Sequence, residues 1–393
     1  MPMQQRLKKQ THTKIDWMTI IIVVGLVAFG LISLSSIMAT PFSGTESSPS
    51  DYLEKLNFEY VSKQAQNFLI GVAICILVVI LDYELFKIVI PWAYLAVLAL
   101  LGLLFLVGVI RGGTQGWFVS ETINRALQPA ELAKIALIVF LSKIVSDSVD
   151  KYGSIKKFKD IILCVLVTIV PVALIWLQPD AGSAIVCVVI LVVIMFVGRI
   201  SWKWILSAIG LISVFLLIAY FFLLDDYQVD RIDDFFTALF EPNAMDINSD
   251  VWLSMTAIGS GGAWGKGFFS NATLAQLRWI RARHTDYVFS GIAEGVGFWG
   301  STILIIAFLA LALRWIYVAI KAKDMFGSCL VMGCVGMLIA HVFENIGMNI
   351  GLMPVTGIPL PFISYGGSNM LANMIAVGIV LNVNLRRQYK RNF

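Results

Sequence analysis

His284-Thr285-Asp286 is the first candidate for chemistry in this chain. A carboxylate with Arg278, Arg281 and Arg283 just before it can act as a general base, its ionised form favoured by the nearby cations. Asp286 also stands where a long apolar run begins, and by residue type alone a helix cap is the stronger reading. Glu131 and Lys134, spaced i, i+3 after Gln128-Pro129, share one face of any helix that forms there. They read either as an ion pair joining helices or as the wall of a polar cavity in which Lys134 meets an anionic ligand. Asp180, in the Gln178-Pro179-Asp180 turn, reads first as the N-cap of the next helix and second as a participant in chemistry.

Two further stretches have phosphate-binding character. The run GSGGAWGKG from Gly259 resembles a phosphate cradle but has no P-loop spacing. Ser364, Tyr365, Gly366, Gly367 and Ser368 open the last apolar run with donors suited to an anion at a helix N-terminus. Just upstream, Pro354, Gly357, Pro359 and Pro361 forbid a continuous helix in an apolar stretch, which predicts a re-entrant segment buried in protein.

The elements that must hold these residues follow from composition. Of 393 residues, 59% are hydrophobic and 14% charged, against about 45–50% and about 25% in soluble domains. Mean hydropathy is +0.84. These values exclude a water-soluble globule, a disordered chain and a nucleic-acid binder. The five cysteines lie in apolar runs with no CxxC, so neither a disulfide framework nor a zinc site is expected. Arg6, Lys8, Lys9 and Lys14 precede an apolar stretch too long for a signal sequence, which reads as a retained first span.

Apolar runs long enough to cross a bilayer lie near 17–40, 65–82, 85–109, 129–147, 160–177, 181–199, 202–224, 286–313, 325–350 and 366–385. They are continuous rather than alternating, so the expectation is an all-α integral membrane protein of about ten spans, one polytopic domain over residues 1–393. Basic residues collect at the N-terminus, at Lys143 to Lys159, at Arg199 and Lys203, at Arg314 to Lys323 and in the tail from Arg386. If ten spans alternate, these loops share one side, predicted cytoplasmic together with both termini. The opposite side then holds the acidic 41–63 segment, the RGGTQGWF segment from Arg111, an Asp-rich loop near 225–285 predicted to be ordered, and the 351–365 segment.

In this order, QPAELAK from Gln128, Gln178-Pro179-Asp180, Gly259-Ser260-Gly261-Gly262, His284-Thr285-Asp286-Tyr287 and the Pro354–Ser368 run resemble the SEDS family (shape, elongation, division and sporulation) of peptidoglycan polymerases, which includes RodA, FtsW and SpoVE. The resemblance spans about Asp16 to Arg387, and MPVTGIPLPFISYGGS is closer to the RodA branch, whose role is elongation. It implies polymerisation of lipid II into a β-1,4 glycan on the outer face of the bacterial cytoplasmic membrane, with inversion at the anomeric carbon and undecaprenyl pyrophosphate leaving. The family's HTD motif maps onto His284, Thr285 and Asp286, which makes Asp286 the expected catalytic base.

Positive charge for the leaving group would come from Lys134, from the loop arginines, or from a divalent cation, Mg or Mn. Glu131 is expected to orient Lys134, and Asp180 and Glu294 to shape the cavity. The expected partners are a class B penicillin-binding protein, a transpeptidase, and other elongation-complex membrane proteins. The chain departs from the family at Gly116 before Trp117, where Arg is common, and at Ala130 for Ser. It departs again at Arg281-Ala282 for Pro-Glu and at Glu294-Gly295 for paired glutamates; Arg281 would replace a lost cation. A transporter of lipid-linked precursors is the alternative, since buried charge and broken helices suit it too. The lack of obvious paired interruptions in two halves counts against it.

Overall fold

The computed structural model describes residues 15–41, 49–111, 114–120, 125–155, 157–201, part of 203–241, 245–270 and 273–387. Helices α1 (Trp17–Ile37), α2 (Pro49–Lys55), α3 (Phe58–Ile80) and α4 (Glu84–Val107) lead into three short strands. After these come α5 (Pro129–Tyr152), α6 (Phe158–Trp176), α7 (Ala181–Val197), α8 (Asp250–Ser260), α9 (Val288–Ile320), α10 (Met325–Asn349) and α11 (Gly367–Arg386). Among the described residues seven helices are long and apolar enough to cross a bilayer. The 17-residue α7 is a shorter apolar helix, and α5 is a 24-residue helix that carries Glu131 and Lys134. Nine predicted spans thus coincide with helices, although α3 starts seven residues before its apolar run, capped by Asn57. The seventh predicted span, 202–224, lies almost wholly outside the described residues.

Local chemistry sets the helix ends. Asp16, Asp180 and Asp324 cap α1, α7 and α10 by accepting from the backbone N–H of Thr19, Ser183 and Gly327. Pro129 opens α5, and Gly153 closes it at φ +73°.

Contacts between helix ends sort the bundle into two poles. At one pole Arg314 meets Asp16 at 2.9 Å, Ser148 donates to Asp160 at 2.6 Å, Ile155 N–H donates to Gly198 at 3.0 Å, and Arg386 donates to Val79 at 3.2 Å. The hydroxyl of Tyr83 bonds Asp324 at the same pole. Among the described residues, the basic ones of the 143–159, Arg199 and 314–323 connections and Arg386 gather here. The opposite pole carries the starts of α3, α5, α7, α9 and α11 and the ends of α4, α6 and α10. The chain leaves α7 at the basic pole and begins α8 at the other, so it changes poles between Gly198 and Asp250.

The Arg111 segment forms a small sheet, where the sequence reading had only a glycine-rich connection. Strands β1 (Val109–Arg111), β2 (Thr114–Ser120) and β3 (Arg125–Leu127) pair antiparallel in the order β1-β2-β3. The meander delivers the chain to Gln128 at the head of α5.

Helix α10 lies at the centre of the bundle, packed on α5, α7, α8, α9 and α11. Helix α9 is broken at Gly297, whose φ of +69° is non-helical. The glycine-rich run docks into this break: Lys266 N–H donates to Glu294 at 3.0 Å, Gly267 to Gly295 at 2.8 Å, and Phe298 to Gly262 at 2.9 Å. A Cβ on Gly297 would lie 2.2 Å from the Gly265 nitrogen. The glycines of that run therefore serve backbone-to-backbone contact and do not form a phosphate cradle.

Candidate functional site

The pole opposite the basic loops brings His284, Thr285 and Asp286 together with the segment between α10 and α11. That segment is non-helical and largely buried, with Ile358, Leu360, Phe362 and Ile363 at 2% exposure or less. Each of three consecutive carbonyls is fastened. The oxygen of His284 accepts from Tyr365 N–H at 2.9 Å. That of Thr285 accepts from the Ser364 hydroxyl at 2.6 Å. The Asp286 oxygen accepts from the side-chain amides of Asn345 and Asn349 at 2.8 and 3.0 Å. Asn345 also donates to Ile358 at 2.8 Å, and Asn349 accepts from Ser290 N–H at 3.1 Å. The half-buried Asp286 carboxylate lies against Gly357 (φ +71°), where a Cβ would approach Oδ2 to 3.7 Å.

The rings of Tyr60, His284 and Tyr365 form a cluster, with centroids 5.1 to 5.9 Å apart. Burial, and then the Arg283 charge, hold His284 below its ordinary pKa of 6.5. Arg283 is 7% exposed, and its Nε has no hydrogen-bond partner among the described residues. Arg281 differs: its side chain is 81% exposed and stands 3.8 Å from Asp250. The cation aimed into the protein is therefore Arg283.

Lys134 and Glu131 do pair, at 2.7 Å, but both side chains are buried, at 0% and 1% exposure. Lys134 Nζ also meets His341 Nε2 at 2.8 Å. An ammonium only donates, so Nε2 accepts and the ring carries its hydrogen on Nδ1. Glu344 is an electrostatic neighbour of Lys134. The pair is thus a buried i,i+3 ion pair within α5, joined to α10 through His341, and the expectation that Lys134 lines an open cavity does not match its zero exposure.

Asp180 caps α7 through Ser183 N–H at 3.0 Å and accepts from Gln128 Nε2 at 2.9 Å. Glu294, with no exposure, binds Lys266 at 2.7 Å and the Leu274 and Ala275 N–H groups at 3.0 and 3.4 Å. It pins the loop and lines no open surface. The anion site expected at the start of α11 is largely occupied by the chain itself. Leu360 N–H donates to the Ser364 hydroxyl, Gln128 N–H to the Ser368 hydroxyl, and Gly366 N–H to Gln64 Oε1. Among the described residues no three of His, Cys, Asp or Glu gather as a metal cage. A bridging Mg or Mn ion needs only one or two carboxylates plus substrate oxygens, and Asp286 is the carboxylate that would serve.

The sequence reading passed over Gln64, His341, Glu344, Asn345 and Asn349. The last four form a polar stripe at helical spacing in an apolar span, which was the available signal.

The long apolar helices, the buried ion pair among them and the tethered carboxylate at one pole describe a polytopic membrane protein. The chain belongs to the FtsW, RodA and SpoVE family of cell cycle proteins, which it matches over residues 16–389. It is 32% identical to peptidoglycan glycosyltransferase MrdB of Escherichia coli K12, over 76% of this chain and 78% of that protein. It is 31% identical to stage V sporulation protein E of Bacillus subtilis, over 96% and 99%. Among solved structures it resembles a chain of a peptidoglycan synthase complex that coordinates polymerization and crosslinking, with TM-score 0.76, 28% identity and coverage of 96% and 99%. Thermus thermophilus RodA superposes with TM-score 0.67, at 28% identity and coverage of 96% and 98%.

Proposed function

We propose that this protein is a peptidoglycan glycosyltransferase that polymerises lipid II on the outer face of the bacterial cytoplasmic membrane, with Asp286 as the base. The observation that carries the reading is the tethering of the backbone from His284 to Asp286, which holds one carboxylate at the pole away from the basic loops. By the positive-inside rule the basic pole, with both termini, is cytoplasmic, and Asp286 faces outward.

In the reaction, the C4 hydroxyl of the acceptor sugar attacks the anomeric carbon of the donor. The new C–O bond forms opposite the departing pyrophosphate oxygen, so configuration inverts, and the hydroxyl proton passes to the Asp286 carboxylate. The Asn345 and Asn349 amides fix the base by its backbone oxygen. Arg283 supplies positive charge to the lipid pyrophosphate, whose oxygens would satisfy its unpartnered Nε. A divalent ion held by Asp286 and the pyrophosphate would add charge at the same place. The likeness to the synthase complex supports a class B penicillin-binding protein as partner, and the RodA likeness supports a role in elongation.

The test is polymerisation of lipid II by the purified chain with its transpeptidase partner, in moenomycin to silence ordinary glycosyltransferases. Asp286→Asn should fold normally and make no glycan. Glycan at the wild-type rate in that variant removes the base, and lipid II translocation without glycan synthesis places the chain among transporters.

A further inference from the structure

His284, of the same His284-Thr285-Asp286 segment, joins Glu59, Tyr60, Lys63 and Tyr365 in lining a cavity of about 180 Å³. This is the scale of one sugar ring. Its walls are fixed by the same bonds that hold the site. Gln64, 1% exposed, donates to the Ser364 carbonyl at 2.9 Å and accepts from Gly366 N–H at 3.2 Å, which locks the start of α3 to Tyr365. Tyr365 N–H in turn holds the His284 carbonyl at 2.9 Å. The Tyr60 ring is set edge-on to both other rings, at interplanar angles of 67° and 69°. The three rings are therefore preformed rather than assembled by a ligand.

Charge decides what the cavity takes. Lys63 is neutralised by Glu59 at 2.7 Å, and burial disfavours the charged form of His284. An anion would meet no unpaired cation on these walls. Aromatic faces, tyrosine hydroxyls and one ion pair instead match a ring with apolar C–H faces and a polar rim. We propose that this cavity is a subsite for one neutral N-acetylated pyranose ring of the glycan, adjacent to the ring that reacts at Asp286. The chemistry of the ligand rests on the polymerase reading above. The occupant is a sugar either of the donor or of the growing strand.

The full chain in nanodiscs is titrated with chitotetraose and followed by saturation-transfer NMR, which needs no turnover. Saturation should reach the pyranose ring protons. Tyr60→Leu, which keeps bulk without an aromatic face, should weaken binding about tenfold, whereas Tyr60→Phe, a control for folding, should stay close to wild type. Inorganic pyrophosphate should not compete. No saturation in the wild type, unchanged affinity in Tyr60→Leu, or displacement by pyrophosphate each overturns the subsite. In a parallel lipid II assay, a raised KM in Tyr60→Leu assigns the cavity to the donor. Shorter strands at unchanged KM assign it to the growing glycan. Sugar binding by a chain that makes no glycan would leave the subsite and remove the polymerase, and glycan synthesis with binding indifferent to Tyr60 would do the reverse.

Discussion

The side-chain amide of Asn345 donates to the backbone oxygen of Asp286 and to that of Ile358, each at 2.8 Å. One residue of the central helix α10 thus sets the distance between the proposed base and the segment that packs on it. Asn345→Leu leaves the Ile358 carbonyl without this donor and the Asp286 carbonyl held by Asn349 alone, which loosens the Asp286 backbone. A shift of about 1 Å can cost about a hundredfold in rate. We expect kcat for glycan synthesis to fall by about that factor with little change in KM. A rise in KM at constant kcat would place Asn345 in substrate binding instead.

Gly297 offers a test of the loop. With φ at +69° and the Gly265 nitrogen 2.2 Å from where a Cβ would sit, Gly297→Ala cannot keep both the kink and the docked loop. The dihedral alone costs about 1–3 kcal/mol, and the steric clash adds to it. Thermal unfolding should come at a lower temperature, and limited proteolysis between 261 and 283 should accelerate. Unchanged cleavage would mean that the glycine-rich run is not held by α9.

Much of this arrangement was legible in the residues. Nine spans could be read because continuous apolar runs have one helical solution in lipid, and the Asp180 cap because Pro179-Asp180 before small residues has few other uses. The sheet at Val109–Leu127 was not legible, since its short strands carry too few residues for alternation to stand out. The placement of Lys134 was ambiguous because spacing shows only that it can reach Glu131; the partner that closes its environment, His341, lies 207 positions away. Ser364 and Ser368 are ambiguous for the same reason, since both hydroxyls already bond the chain. Residue type marks a donor, whereas the fold decides whether the donor is already in use.

His284 predicts a pH dependence. Burial and Arg283 hold its folded pKa below the ordinary 6.5, so between the two values the unfolded chain binds more protons than the folded one. Stability then rises with pH across that window and falls as pH drops below about 6.5. His284→Phe keeps a ring against Tyr60 and Tyr365 and removes the proton site. Thermal melts from pH 7.5 to pH 5 should therefore show a smaller loss in His284→Phe than in the wild type. Parallel losses would mean that another group sets the acid limit.

The Glu131–Lys134 pair separates a structural role from a catalytic one. Lys134→Met alone strands a carboxylate that is 1% exposed, and breaking a buried pair in this way costs about 3–5 kcal/mol. Combining it with Glu131→Gln removes the stranded charge, so the double variant should recover most of the lost thermal stability. His341 would lose the donor to its Nε2, so recovery should be incomplete. If Lys134 acts only by joining α5 to α10, glycan synthesis should return along with the fold. A double variant that is stable yet silent would instead mean that the ammonium reaches substrate during turnover, through a rearrangement of α5 against α10 that exposes it.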